Sequence, residues 1–387
     1  MTAAKRTAFR FVFLMSVVSL FADMTYEGAR SVTGPFFAFL GASGAVVGIV
    51  AGFGELLGFG LRYASGLVAD RTGKYWGTAL LGYTINVLSV PALALARTWP
   101  GAAALVVGER IGRGVRKPAS NALISYAGSE LGHGWVFGFR EAMDQTGATI
   151  GPIIVALILY FHGGFARAFG VLFVPAILAL LVLIVAWRQF PVPRHLETKP
   201  IAVGGKQHRA FWLYALGGAC LGAGFADFAL ISFHFSKTHV FALGLIPILY
   251  AAAMLVGAIG SPLLGRAYDR YGNAVLVGAF ALTAIFAPLA FLGTSWAAFA
   301  GVLLWGLGMA AQDTLFPAVV VQLAPAERRA TALGTFDAVY GVAWFLGSSV
   351  MGLLYDRSFV ALVVFSLVLQ AAGLPLLALA GRKPRTA

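Results

Sequence analysis

A handful of ionisable residues interrupt otherwise apolar runs in this chain, and their spacing is the first sign of chemistry. Asp23 and Glu27 stand four apart, so on a helix both carboxylates share one face, with Arg30 three residues further on. Two acids side by side in a low-dielectric site suit a group that takes up and releases a proton. The plainer alternative is that Arg30 neutralises Glu27 across the i, i+3 spacing. Arg110 and Arg113 share another run. An arginine there keeps its charge and must be paired or solvated by a cavity. For Arg110 the alternative is a fixed ion pair with Glu55, Glu109 or Asp144; for Arg113 it is a side chain reaching back to the polar interface. Asp227 and Asp313, the latter beside Gln312, complete the candidates for holding a substrate or a proton. Asp144 and Asp337 are expected to tie helices together, and Glu55 has Arg62 within reach on its own helix. His234 reads as a satisfied interfacial histidine. Tyr26, Tyr340, Trp305 and Trp344 read as packing residues.

These groups need elements that can hold charge in an apolar medium. Of the 387 residues, 59% are hydrophobic and 11% charged, with a mean hydropathy of +0.85. Ordinary soluble domains carry about twice that charge, so the chain belongs in a bilayer. Its apolar runs are continuous rather than alternating, which points to helices and excludes a barrel. The fold expected is an all-α membrane protein of twelve spans. Six cover residues 9–37, 45–61, 76–96, 102–124, 136–160 and 169–187, and six more 211–235, 243–264, 274–292, 296–322, 330–355 and 360–380. Residues 1–188 then form an N-terminal six-helix bundle, 189–208 a linker of Pro, Gly, Lys, Arg and His, and 209–387 a C-terminal bundle. The N-terminal run is read as a retained first span, since no small-x-small cleavage site precedes a hydrophilic region.

Spans 3, 6, 9 and 12 carry no ionisable residue, whereas spans 1, 4, 7 and 10 each carry at least one. A charge in the hydrocarbon costs at least about 2.5–3.5 kcal/mol, so the third span of each triplet should face lipid and the first should line a polar centre. That period is what a wet chamber between two bundles produces. The net charge of +13 does not mark a nucleic-acid surface, because the bases fall in alternate loops. Lys5, Arg6, Arg71, Lys74, Arg188, Lys206, Arg266, Arg270, Arg328 and Arg329 lie on one side, against Arg97, Arg167, Lys237 and Arg357 on the other. This bias places both termini and the linker in the cytoplasm, with the chain in the cytoplasmic (inner) membrane.

The two halves repeat each other. Gly66-Leu67-Val68-Ala69-Asp70-Arg71-Thr72-Gly73 returns as Gly265-Arg266-Ala267-Tyr268-Asp269-Arg270-Tyr271-Gly272, 199 positions on, and Phe21-Ala22-Asp23 returns as Phe225-Ala226-Asp227. Duplicated membrane units are a transporter plan. The first copy resembles the loop signature between the second and third spans of the major facilitator superfamily, and the second copy its degenerate echo. Arg110-x-x-x-Gly114 is similar to that family's buried-arginine signature. Gly138, Gly147 and Gly151-Pro152 resemble the fifth-span signature of its drug–proton antiporter branch, with Val155-Ala156 where that branch has Gly-Gly. The resemblance implies two six-helix bundles that rock about a central site, with proton coupling at the buried arginine. It implies a conformational latch at Gly66, Asp70, Arg71, Gly73, Asp269 and Arg270, and bundle contact or coupling at Glu55, Asp144, Asp337, Gly147, Gly151 and Pro152.

The function expected is secondary active transport of a small organic solute by alternating access, as proton-coupled efflux by antiport. Proton-coupled uptake is the alternative within the class, and an intramembrane enzyme, a lipid-handling protein or a ligand-sensing receptor lies outside it. The partners expected are a small-molecule substrate, protons and the lipid bilayer, with no nucleic acid, and the chain is expected to act as a monomer. Enzyme chemistry finds no motif in context. Gly306-x-Gly308-x-x-Ala311 matches a dinucleotide fingerprint by letters but lies inside an apolar span with no strand before it. Cys220 is a lone packing cysteine, and no cofactor or metal is expected.

Overall fold

The computed structural model describes residues 3–125, 131, 133–191, 209–323 and 329–380. Of the expected linker, Gln189 closes a helix and residues 192–208, with Lys206, lie outside them, as does Arg328. Among the described residues there are helices and turns but no strand. Apolar segments of this length close every backbone hydrogen bond internally, which a bilayer demands.

The first sequence half gives α1 (Ala3–Phe39), α2 (Gly44–Thr72), α3 (Tyr75–Ala92), α4 (Trp99–Ser125), α5 (His133–Tyr160), α6 (Gly164–Val171) and α7 (Phe173–Gln189). The second gives α8 (Arg209–Gly224), α9 (Phe228–Thr238), α10 (Ile246–Tyr271), α11 (Asn273–Thr283), α12 (Phe286–Leu292), α13 (Ser295–Leu323), α14 (Arg329–Tyr355) and α15 (Phe359–Ala380). Among the described residues, eleven stretches are long and apolar enough to cross a membrane. The helix left out is α4, 27 residues long, whose Glu109, Arg110, Arg113, Arg116 and Lys117 lower its hydropathy.

Three expected spans are interrupted. Span 6 turns at Leu172 between α6 and α7, and span 9 turns at Ala284 and Ile285 between α11 and α12. Span 7, expected to run unbroken through residues 211–235, stops at Gly224 and restarts at Phe228. The cause is Asp227, which takes an extended conformation (φ −67°, ψ 147°) and accepts the Ala229 N–H at 2.9 Å, as a helix N-cap does.

The chain divides into two compact units. The first comprises Met1–Gly41, Leu57–Lys199 and Ala242–Ala251; the second comprises Ala42–Leu56, Pro200–Phe241 and Ala252–Ala387. Two segments are therefore claimed by the other sequence half: the start of α2 by the second unit, and the start of α10 with the 3₁₀ turn before it by the first.

Within the first unit α1 runs along α5, where a Cβ on Gly147 or Gly151 would strike the backbone of Leu20 or Met24. Gly82 and Gly112 bring α3 and α4 equally close, with a Cβ on Gly112 striking Asn86. Such glycines permit backbone approach where lipid supplies no hydrophobic force to drive helices together. Within the second unit Gly48 and Gly52 bring the start of α2 onto Ser348, Gly352 and Phe345 of α14, and the Gly44 and Ala45 N–H groups donate to the Asp356 carboxylate at 2.7 and 2.8 Å. The last glycine of each repeated loop has a common task. Gly73 (φ +65°) and Gly272 (φ +63°) close α2 and α10 in a backbone conformation that L side chains rarely adopt.

Candidate functional site

In the first unit the charges of α1 and α4 come together around Tyr26. Asp23 and Arg116 are 6% and 4% exposed, and their side chains meet at 3.5 Å. The Arg113 guanidinium lies 4.9 Å over the Tyr26 ring. Arg116 lies 5.6 Å from the same ring and 4.6 Å over Tyr83, whose hydroxyl is 3.4 Å from Ser120 Oγ. Asp23, Glu27, Arg113 and Arg116 all act electrostatically on the Tyr26 hydroxyl. An aromatic face attracts a desolvated guanidinium with about 2 kcal/mol, so the two tyrosines help hold Arg116 where water is scarce.

The remaining charges extend this cluster along α1 and α4. Glu27 is 3.9 Å from Arg30, as the i, i+3 spacing allows, and it also accepts the Tyr250 hydroxyl, which α10 contributes to this unit. Arg110 pairs with Glu109 at 3.4 Å, and Asn86 of α3 donates to Glu109 at 2.7 Å. On α5, Arg140 reaches Ser19 at 3.0 Å, Asn121 at 2.6 Å and Asp144 at 3.7 Å. Each α1 carboxylate thus touches a partner on its own helix or another that can compete with a proton for it.

The second unit has a tyrosine centre of a different kind. Tyr340 donates to Gln312 Oε1, and Glu55, Asp313 and Asp337 all act electrostatically on its hydroxyl. Asp313 is exposed and Asp337 half-buried, whereas Glu55 is buried. Around Tyr340 the rings of Tyr214, Phe316, Phe336 and Trp344 form a connected stack, with Phe336 parallel to Tyr340 and centroids 5.9 Å apart. Trp305 donates to Ala226 O at 2.9 Å, and Ser366 and Gln370 donate to Gly224 O at 2.6 and 3.3 Å, so two carbonyls at the break between α8 and α9 are satisfied by side chains. His234 faces Tyr355 at 3.2 Å among Phe291, Phe235 and Phe359.

The loop candidates lie at helix ends. Asp70 and Asp269 fall in the last turns of α2 and α10, and the structure describes their backbone alone. Arg71 is exposed, Arg270 lies 5.2 Å over Tyr271, and Gly66 faces Pro118. Pro152 sits inside α5 next to the α1 contact.

Sequence reasoning singles out Asp23, Glu27, Arg30, Arg110 and Arg113, and the first unit brings Asp23, Glu27 and Arg113 around Tyr26, with Arg30 beside Glu27. It misses Arg116, Arg140 and Tyr250, and it sets Tyr26 and Tyr340 aside as packing. Arg116 carries a signal, since it continues the i, i+3 row of Arg110 and Arg113. Tyr250 carries none, because its partner lies 223 residues away.

A family model described as the Major Facilitator Superfamily matches residues 12–348. The chain belongs to that superfamily. It is 40% identical over 389 residues to the uncharacterized protein Rv2265 of Mycobacterium tuberculosis, an alignment covering 98% of this chain and 95% of the relative. It is 29% identical over 175 residues to the uncharacterized MFS-type transporter MJ1317 of Methanocaldococcus jannaschii, covering 45% of this chain and 43% of that one. The crystal structure of the nucleoside transporter NupG aligns with a TM-score of 0.75 at 15% identity over 95% of this chain and 98% of its own. A bacterial homologue of the human lysosomal transporter Spinster, inward-facing and occupied, aligns at 0.73 and 18% over 98% and 96%. At these identities the structures show a shared fold. The chain is a multi-pass membrane protein and a secondary transporter rather than an enzyme.

Proposed function

We propose that this facilitator exports a small organic solute in exchange for protons. It would do so by alternating access of two six-helix bundles, residues 1–188 and 209–387, as in the drug–proton antiporter branch. On this reading it lies in the cytoplasmic membrane as a monomer with both termini inside. The observation that carries the coupling half is the Asp23–Arg116 pair: a buried carboxylate at 3.5 Å from a permanently charged guanidinium, with Glu27 one turn along. A charge pair in a low-dielectric site is stable only while both charges are present. A proton arriving on Asp23 weakens its hold on Arg116 and leaves the guanidinium seeking another partner, which is how proton uptake would be converted into movement of α4 against α1. Asp227, the repeat counterpart of Asp23, already caps α9, so coupling falls to the α1 carboxylates. The Asp70 and Asp269 loops would act as the latch of the resting state, and Glu55, Asp144 and Asp337 as ties that change during the cycle.

Purified protein in proteoliposomes tests this reading. Candidate solutes are first found by thermal stabilisation, since a ligand that binds only the folded state raises its stability. An imposed pH gradient should then drive flux of those that bind. Flux that ignores the gradient refutes coupling, and product formation without flux refutes transport.

A further inference from the structure

Tyr250 stands at the point where α10 passes from one compact unit to the other. Residues Ala242–Ala251 belong to the first unit and Ala252 onward to the second. The segment that ends with Tyr250 rests on α5, with Gly244 against the backbone of Tyr160. Tyr250 is fully buried and its hydroxyl donates to Glu27 Oε2, while the other carboxylate oxygen lies 3.9 Å from Arg30. Glu27 is itself buried at 6% exposure, so this phenol is part of what replaces water around its charge.

A phenol donates, and its bond to an ionised oxygen is about twice as strong as its bond to a neutral one. The grip of Tyr250 on Glu27 therefore depends on whether that carboxylate is charged. The other groups that act on Glu27, or on the Asp23 and Tyr26 beside it, are Asp23, Tyr26 and Arg30 on α1, Arg113 and Arg116 on α4, and Asp144 on α5. All of these come from the first sequence half. Tyr250 alone among the groups named comes from the second, and its segment is short: one 3₁₀ turn and the first turn and a half of α10.

We infer that Tyr250 is a positioning residue that holds the Ala242–Ala251 segment in the first unit while Glu27 is ionised and releases it when Glu27 takes a proton. The inference rests on the proposed antiport, in which α1 carboxylates take up the coupling proton, and adds the residue that turns that uptake into movement of the second half's chain.

The test uses spin labels on cysteines at Leu245 and Tyr160, both exposed, in a Cys220→Ser background of the full chain in lipid nanodiscs. In the parent protein, moving from alkaline to acid pH should shift the ratio of near to separated label populations by about fivefold, the size of a modest coupling between contacting groups. Tyr250→Phe keeps the ring and Glu27→Gln keeps the shape, and each should give the separated population at every pH. The double variant should match either single one. The assignment is overturned by a parent distribution that ignores pH, by a Tyr250→Phe protein that keeps the parent's pH response, or by effects that add in the double variant. An unchanged melting temperature and solute-stabilisation profile in Tyr250→Phe separates this role from a fold defect. If labels respond as expected but vesicle flux ignores a pH gradient, this inference stands and the proton-driven reading falls; if flux is gradient-driven and the labels do not respond, the reverse holds.

Discussion

The two units each build a different kind of interior around a tyrosine. Tyr26 sits among Asp23, Glu27, Arg113 and Arg116, a balanced set of opposite charges held by pairs and cation–π contacts. Tyr340 sits among Glu55, Asp313 and Asp337 and inside a stack of aromatic rings. The repeat-related residues Asp23 and Asp227 show the divergence most plainly: one carboxylate faces a guanidinium, the other ends a helix. On the proposed antiport, the paired charges of the first unit are the part that responds to a proton.

Substitutions that treat the two units alike should expose that difference. The largest effect is expected for Asp23→Ala, which leaves Arg116 buried without its carboxylate and should cost about 3–5 kcal/mol, read as lost thermal stability in detergent. Next comes Gly151→Ala, whose Cβ would enter the backbone of Met24. Overpacking of this kind costs about 1–3 kcal/mol, and the same denaturation series should show it. Next, and alike in the two halves, are Gly73→Ala and Gly272→Ala, each forcing a side chain to a positive φ that only glycine adopts readily, for about 1–3 kcal/mol. A clear inequality between them would show that the loops have diverged as far as the interiors. The smallest is Asp227→Ala, loss of one N-cap at about 1 kcal/mol. Should Asp227→Ala match Asp23→Ala, the two carboxylates do the same work and the contrast between the units fails.

What the sequence made legible follows from which forces are local. The all-helical, many-span character was readable because hydropathy over about 20 residues decides insertion, and the Gly73 and Gly272 turns need glycine wherever they occur. The break in span 7 was not, since Asp227 reads as an intramembrane charge until its φ and ψ show it capping α9. The i, i+3 and i, i+4 spacings of Asp23, Glu27 and Arg30 gave their shared face correctly, because that geometry lies within one helix. Arg116 and Tyr250 escaped because their partners depend on how α1, α4 and α10 pack, which no spacing encodes. Tyr26 and Tyr340 read as packing for the same reason: an aromatic at helical spacing looks identical whether its hydroxyl meets lipid or charge.

The most direct measurement compares solute flux driven by an imposed pH gradient in proteoliposomes holding the parent protein, Asp23→Asn or Asp227→Asn, matched for reconstituted amount. If the paired charges of the first unit carry the coupling, Asp23→Asn abolishes gradient-driven flux while still binding solute, and Asp227→Asn, whose amide can still cap α9, retains most of it. Parent-level flux in Asp23→Asn, or equal loss in both variants, would contradict that assignment.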